Sequence, residues 1–125
     1  MMLKRLIDSV ILIDHLNGID KATDFLSGLS TNETAISVIT RSEVLVGVDA
    51  ESSLRIKRLL DRYQLLVIDG PIADLAAELR RTHGWKLPDA FQAALAMHYK
   101  IPLLTRNTKD FDPKKHAFVK IPYEI

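Results

Sequence analysis

Cysteine is absent from the 125 residues, which removes disulfides, thiolate metal sites, iron–sulfur clusters and thiol nucleophiles at once. Long apolar runs are absent as well. No window approaches the roughly 18 apolar residues of a membrane span. Charge of one sign is not in excess either: 17 Lys+Arg against 16 Asp+Glu leave +1. Bulk charge therefore selects no polyanion partner, and any nucleic-acid role has to rest on local patches. Glycine and proline, five of each, do not gather into linkers, repeats or low-complexity tracts. Hydrophobic residues make up 47% and charged residues 26%, the proportions of an ordinary folded domain, so disorder is excluded. The expectation is a single domain over 1–125.

Lys4-Arg5 ahead of Leu6-Ile7 and Val10–Ile13 has the outline of a signal peptide, but Asp8 and Asp14 interrupt the apolar stretch. A cytoplasmic, membrane-free protein is expected. Along the chain, short apolar runs alternate with helical patterns. Strands are predicted at Leu3–Ile7, Thr34–Ile39, Leu65–Ile68 and Ile101–Leu104, with a fifth at Phe118–Ile121. Helical patterns cover Val10–Leu16, 20–29, the stretch after Thr40 to about Val48, a basic amphipathic segment at 51–63, Ile72–Thr82 and the alanine-rich Ala90–Tyr99. Strands alternating with helices, and reading as apolar without alternation, predict an α/β fold. Its form is a three-layer α/β/α sandwich around a central, mostly parallel sheet.

The acids that matter are those next to buried segments. Asp8 follows the first strand, and Glu43 lies on the helix after the second. Asp69 follows the third strand, Asp89 opens the alanine-rich helix after Leu87-Pro88, and Asp110 comes shortly after the fourth strand. In an open parallel sheet such junctions face one edge, where these folds bind ligands. Each acid also has a plainer reading. Thr40-x-x-Glu43 fits a capping box, Asp8 and Asn107 fit helix caps, Asp89 fits a first-turn acid, and Asp69-Gly70-Pro71 fits a turn. As a set they are harder to explain that way. Two carboxylates about 4 Å apart repel by roughly 4 kcal/mol at an effective dielectric near 20. Three or four converging require a bound proton or a hard, oxygen-liganded cation such as magnesium or manganese.

Four stretches carry a resemblance: Leu6-Ile-Asp-Ser-Val-Ile-Leu-Ile-Asp14, Ile36-Ser-Val-Ile-Thr-Arg-Ser-Glu43, Leu87-Pro-Asp-Ala90, and Leu104-Thr-Arg-Asn-Thr-Lys-Asp-Phe111. In this order and spacing the sequence resembles the PIN-domain ribonucleases, and among them the VapC-type toxins of type II toxin–antitoxin systems. The resemblance implies a metal-dependent endoribonuclease that hydrolyses RNA with Mg2+ or Mn2+. It makes Asp8, Glu43, Asp89 and Asp110 catalytic, with Asp8, Asp89 and Asp110 on the metal and Glu43 completing the site or orienting water. Thr105 matches a supporting hydroxyl, and Asn107 stands where some members carry another acid. Val10 departs from the pattern, since similar proteins commonly have Ser or Asn there. Ser9 then takes the small polar role beside the acids. The resemblance further implies a homodimer and a cognate antitoxin laid across the active-site groove.

Between residues 100 and 120, Lys100, Arg106, Lys109, Lys114, Lys115 and Lys120 outnumber Asp110 and Asp112. This is the local excess that a phosphate backbone needs, with Arg106 and Lys109 nearest the acids. His15, His83, His98 and His116 show no metal-ligand spacing, and Trp85 and Phe91 read as core or interface. Two further readings remain: a PIN module that binds RNA or protein without turnover, and a phospho-acceptor receiver domain with Asp69 as acceptor.

Overall fold

Each buried strand of the sheet sends consecutive side chains to opposite faces, and that alternation sets the layers. The structure, a computed structural model, describes residues 2–125. Strands β1 (Arg5–Ile7), β2 (Thr34–Ser37), β3 (Gln64–Leu66), β4 (Leu103–Leu104) and β5 (Val119–Lys120) form one sheet in the order β3-β2-β1-β4-β5. Every neighbouring pair is parallel. Leu6, Ala35 and Leu103 join one apolar cluster, while their successors Ile7, Ile36 and Leu104 join another.

Helices α1 (Ser9–Leu16), α3 (Val38–Val46) and α4 (Ala50–Leu60) cover the second cluster through Ile11, Leu12, Val44, Ile56 and Leu60. Helix α2 (Asp20–Ser27) packs at its margin through Phe25 and Leu26. On the other face, α5 (Gly70–His83) and α6 (Leu87–Tyr99) bury Ile72, Ala76, Leu79 and the alanines of α6. The result is the expected three-layer α/β/α sandwich, with a sheet that is parallel throughout. Among the described residues no helix is long and apolar enough to cross a membrane.

The elements depart from the sequence pattern mainly at their ends. Val38 and Ile39 look like strand, but the Ser37 hydroxyl accepts the Thr40 amide at 3.0 Å and starts α3 at Val38. The third strand is shorter than predicted because β3 is an edge: Leu65 and Val67 remain 47% and 59% exposed. Asp69 caps α5 by accepting the Ile72 amide, at the end of that edge strand. A receiver domain needs its acceptor near the middle of the sheet, so that reading is ruled out.

Ala90, Ala93, Ala94 and Ala96 are each at most 1% exposed, and such small side chains allow α6 to lie close against its neighbours. Ala93→Leu is expected to overpack this layer and lower stability by about 1–3 kcal/mol, read from the urea midpoint.

Candidate functional site

Strand β1 sits between β2, its successor in sequence, and β4, which returns from the far side, so the direction of winding reverses between β1 and β4. Ligand sites of open α/β sheets form beyond the strand ends at this crevice. Asp8 directly follows β1 and Thr105 directly follows β4, and the Thr105 hydroxyl donates to Asp8 Oδ2 at 2.7 Å.

Asp8 is only 6% exposed. Besides Thr105, it accepts the Ser9 amide at 2.9 Å and the Gln92 side-chain amide at 3.1 Å, both on Oδ1. A carboxylate offers about four lone-pair positions. Three are used here, and the remaining one is on Oδ2. The other Gln92 bond goes to Thr40 Oγ1 at 2.8 Å, which ties α6 to α3. Gln92 Oε1 is left buried without a partner. Reversing the amide would turn that oxygen toward the acceptor-only Asp8 carboxylate, so the orientation is fixed by its neighbours.

Glu43 lies well inside α3, whose cap is Ser37, so it is not the closing residue of a capping box. Instead its Oε1 accepts the Ser9 hydroxyl at 3.0 Å. Burial raises its carboxyl above the ordinary range, the Ser9 bond opposes this, and the charge of Asp8 adds to it. Asp89 stands in the first turn of α6, three residues before Gln92 and hence on the same face. A helix N-terminus favours an ionised acid, but here burial and the charges of Asp8, Asp110 and Glu43 prevail over it and over Lys86. The Asp89 carboxyl is pushed up to about 6. All four predicted acids thus share one electrostatic environment.

Asp110 belongs to the loop after β4. Its Oδ2 accepts from Asn107 Nδ2 at 3.1 Å, and the Asn107 amide donates to Thr105 Oγ1 at 3.0 Å. Asp8, Ser9, Glu43, Asp89, Asn107 and Lys109 line a cavity of about 460 Å³, with Val10 on its wall. Among the described residues no three acidic or histidine side chains converge tightly enough to cage an ion by themselves.

Arg106 also borders this cavity, but its guanidinium is engaged elsewhere. Nε and Nη2 donate to the two oxygens of Asp14, each at 2.8 Å, and the Tyr123 hydroxyl donates to Asp14 Oδ2 at 2.7 Å. The Arg106 hydrogen bonds hold the Asp14 carboxyl below its usual range. The sequence places Arg106 on phosphate; the structure spends most of it on fixing the loop that carries Thr105, Asn107 and Asp110.

The PIN domain family model matches residues 5–116. The chain belongs to the PIN-domain family. A chain of a toxin–antitoxin complex from Klebsiella pneumoniae is 36% identical, with TM-score 0.89 over 98% of this PIN domain and 100% of that chain. A DNA-bound VapBC structure from Salmonella typhimurium matches at 20% identity and TM-score 0.80, over 98% of this chain and 100% of that one. FitAcB from Neisseria gonorrhoeae matches at 22% identity and TM-score 0.78, over 97% and 99%. No curated protein matches the sequence. The VapC-type resemblance read from the four stretches agrees with these matches.

Two outcomes follow from the electrostatics of this PIN domain. The raised Asp89 carboxyl binds a proton more tightly folded than unfolded, so stability falls as pH rises from about 4 to 6. Asp89→Asn in EDTA should therefore be more stable than wild type at pH 7.5, by about 1–2 kcal/mol in urea unfolding, and the gain should vanish near pH 4. Asp14 has the opposite sign: its lowered carboxyl stabilises the fold above its unfolded value and less as pH falls through its folded one. Asp14→Asn should lower stability by about 2 kcal/mol at pH 7, less than a fully buried pair because Arg106 is 34% exposed, and by less below pH 4.

Proposed function

We propose that this PIN domain is a metal-dependent endoribonuclease and the toxin of a toxin–antitoxin pair, acting in the cytoplasm. The observation that carries the reading is the gathering of Asp8, Glu43 and Asp89 in one cavity at the sheet crevice, with Asp110 on the wall of the next one. Burial, and then the charges of Asp8, Asp110 and Glu43, raise the Asp89 carboxyl to about 6. The donor set suits magnesium or manganese: oxygen only, an excess of negative charge, and carboxylate oxygens of Asp8, Glu43 and Asp89 not taken by hydrogen bonds. Carboxylates set too far apart to cage an ion directly fit a cation that keeps several waters and is held partly through them.

Asp8, Asp89 and Asp110 would hold the cation. When bound, it would make a water more acidic and neutralise charge on the phosphate. Glu43, whose carboxyl burial raises and whose Oε1 accepts the Ser9 hydroxyl, would orient the attacking water and accept its proton. Ser9 supplies the polar contact that Val10 does not. Thr105 and Gln92 hold Asp8 in one rotamer, and Asn107 does the same for Asp110. Lys109, on the cavity wall, would meet substrate phosphate in place of Arg106, which is tied to Asp14. Water as nucleophile leaves 5′-phosphate and 3′-hydroxyl ends.

A groove of about 300 Å³ between α1, α3 and α4 supports the antitoxin. It is lined by Ile13, Leu16, Val44, Val48 and Ile56, and it shares Glu43 with the acidic cavity, so a segment lying in it reaches the site. The similar Klebsiella pneumoniae chain comes from a toxin–antitoxin complex. Exposed Val46 and Leu54 supply apolar surface for antitoxin or a second copy, and a homodimer is part of the reading.

Antitoxin-free protein is expected to cut a mixed RNA pool with Mg2+ or Mn2+ and not in EDTA. Asp8→Asn and Asp89→Asn should each lower the rate at least about 100-fold. Products ending in 2′,3′-cyclic phosphate would overturn the water mechanism. A wild-type protein that binds RNA and metal without cutting would favour the alternative, a PIN module without turnover, which Val10 motivates.

A further inference from the structure

Beside the acidic cavity lies a second one of about 430 Å³, lined by His83, Trp85, Lys109, Asp110, Lys115 and His116, with Gly84 and Asp112 at its margin. Lys109 borders both, so the two are neighbours along one surface. The second cavity is organised around aromatic rings. The exposed His83 lies face to face on Trp85, with centroids 4.2 Å apart and planes at 19°. His116 meets His83 edge-on at 5.2 Å and Trp85 at 5.1 Å.

The base of this stack is fixed. Trp85 is 5% exposed, its indole donates to the Asp110 carbonyl at 2.9 Å, its carbonyl accepts Arg80, and it packs on the fully buried Phe111. Gly84, at φ +73°, makes the reversal between His83 and Trp85, a backbone region where a side chain is strained. Charge is divided in a useful way. Asp112 is used to turn its loop by accepting the Lys114 amide, and Asp110 holds Asn107, whereas Lys109 and Lys115 form no ion pair among the described residues. Burial and the neighbouring His83 lower the His116 imidazole.

We propose that this cavity is a nucleotide subsite of the RNA-cleaving centre: an unpaired base next to the scissile phosphate stacks on His83 over Trp85, and its phosphate lies between Lys109 and Lys115. A preformed ring stack flanked by cations is how single strands are held. Only an unpaired base can present its face, so the substrate is cut in a single-stranded segment. The proposal deepens the nuclease reading and rests on it for the chemistry, but it can be tested by binding alone.

Trp85 is the only tryptophan, so intrinsic emission reports on this cavity. In the non-cutting Asp8→Asn background, an unstructured RNA oligonucleotide should change that emission, and its fully paired duplex should not. His83→Ala should weaken binding of labelled RNA about tenfold, and His83→Phe, which keeps a ring face, should restore it. Lys115→Ala should weaken binding and flatten its salt dependence. Because His83 is exposed, thermal melts of the variants should match the parent. Binding that is equal in all variants, or emission that responds equally to the duplex, would overturn the subsite while metal-dependent cutting by wild type left the nuclease reading intact. No RNA binding together with no cutting would overturn both.

Discussion

The buried carboxylate of Asp8 is the point on which the rest of the site depends. It stands where the winding of the sheet reverses, and a buried charge of this kind is tolerated only when surrounded by donors. The three it has come from Ser9 at the start of α1, from Gln92 on α6 and from Thr105 after β4. Satisfying one acid thereby fixes the relative position of a helix on each face and of the two central strands. Glu43 is attached to the same arrangement through Ser9, and Asn107 through Thr105. The geometry of the acids is a by-product of satisfying Asp8.

The acid cluster is unfavourable in isolation. Asp89 shows this most clearly, since its position at a helix N-terminus should favour ionisation, and burial together with the neighbouring acids reverses the outcome. Such repulsion is the electrostatic basis of the proposed cation site, because a bound cation would relieve it. Arg106, which borders the cavity, is held to Asp14, and Tyr123 donates to the same carboxylate.

Much of this was legible in the chain. Alternating apolar runs gave the sandwich, and acids at strand ends identified the edge where the site forms. What the sequence hid follows from how the residues act. Gln92 looks like one polar residue on an alanine-rich helix, and only its spacing of three from Asp89 hints that it shares the acids' face. Ser37 rather than Thr40 caps α3, which freed Glu43 from the capping role its spacing suggested. Arg106 next to the acids invited a phosphate contact. Its partner Tyr123 acts on Asp14 across 109 positions, a distance that no local pattern reveals.

That separation has a consequence for how the protein is made. The bonds that define the site join residues 84 and 97 positions apart, and the Arg106–Asp14 tie spans 92. Contacts so distant along the chain raise its contact order and cost loop-closure entropy, which slows folding. A partly folded chain with α1 to α4 in place would hold Asp8 and Glu43 but none of the groups that orient Asp8 from the other side. The acidic centre is therefore complete only when segments from both ends of the chain are in place.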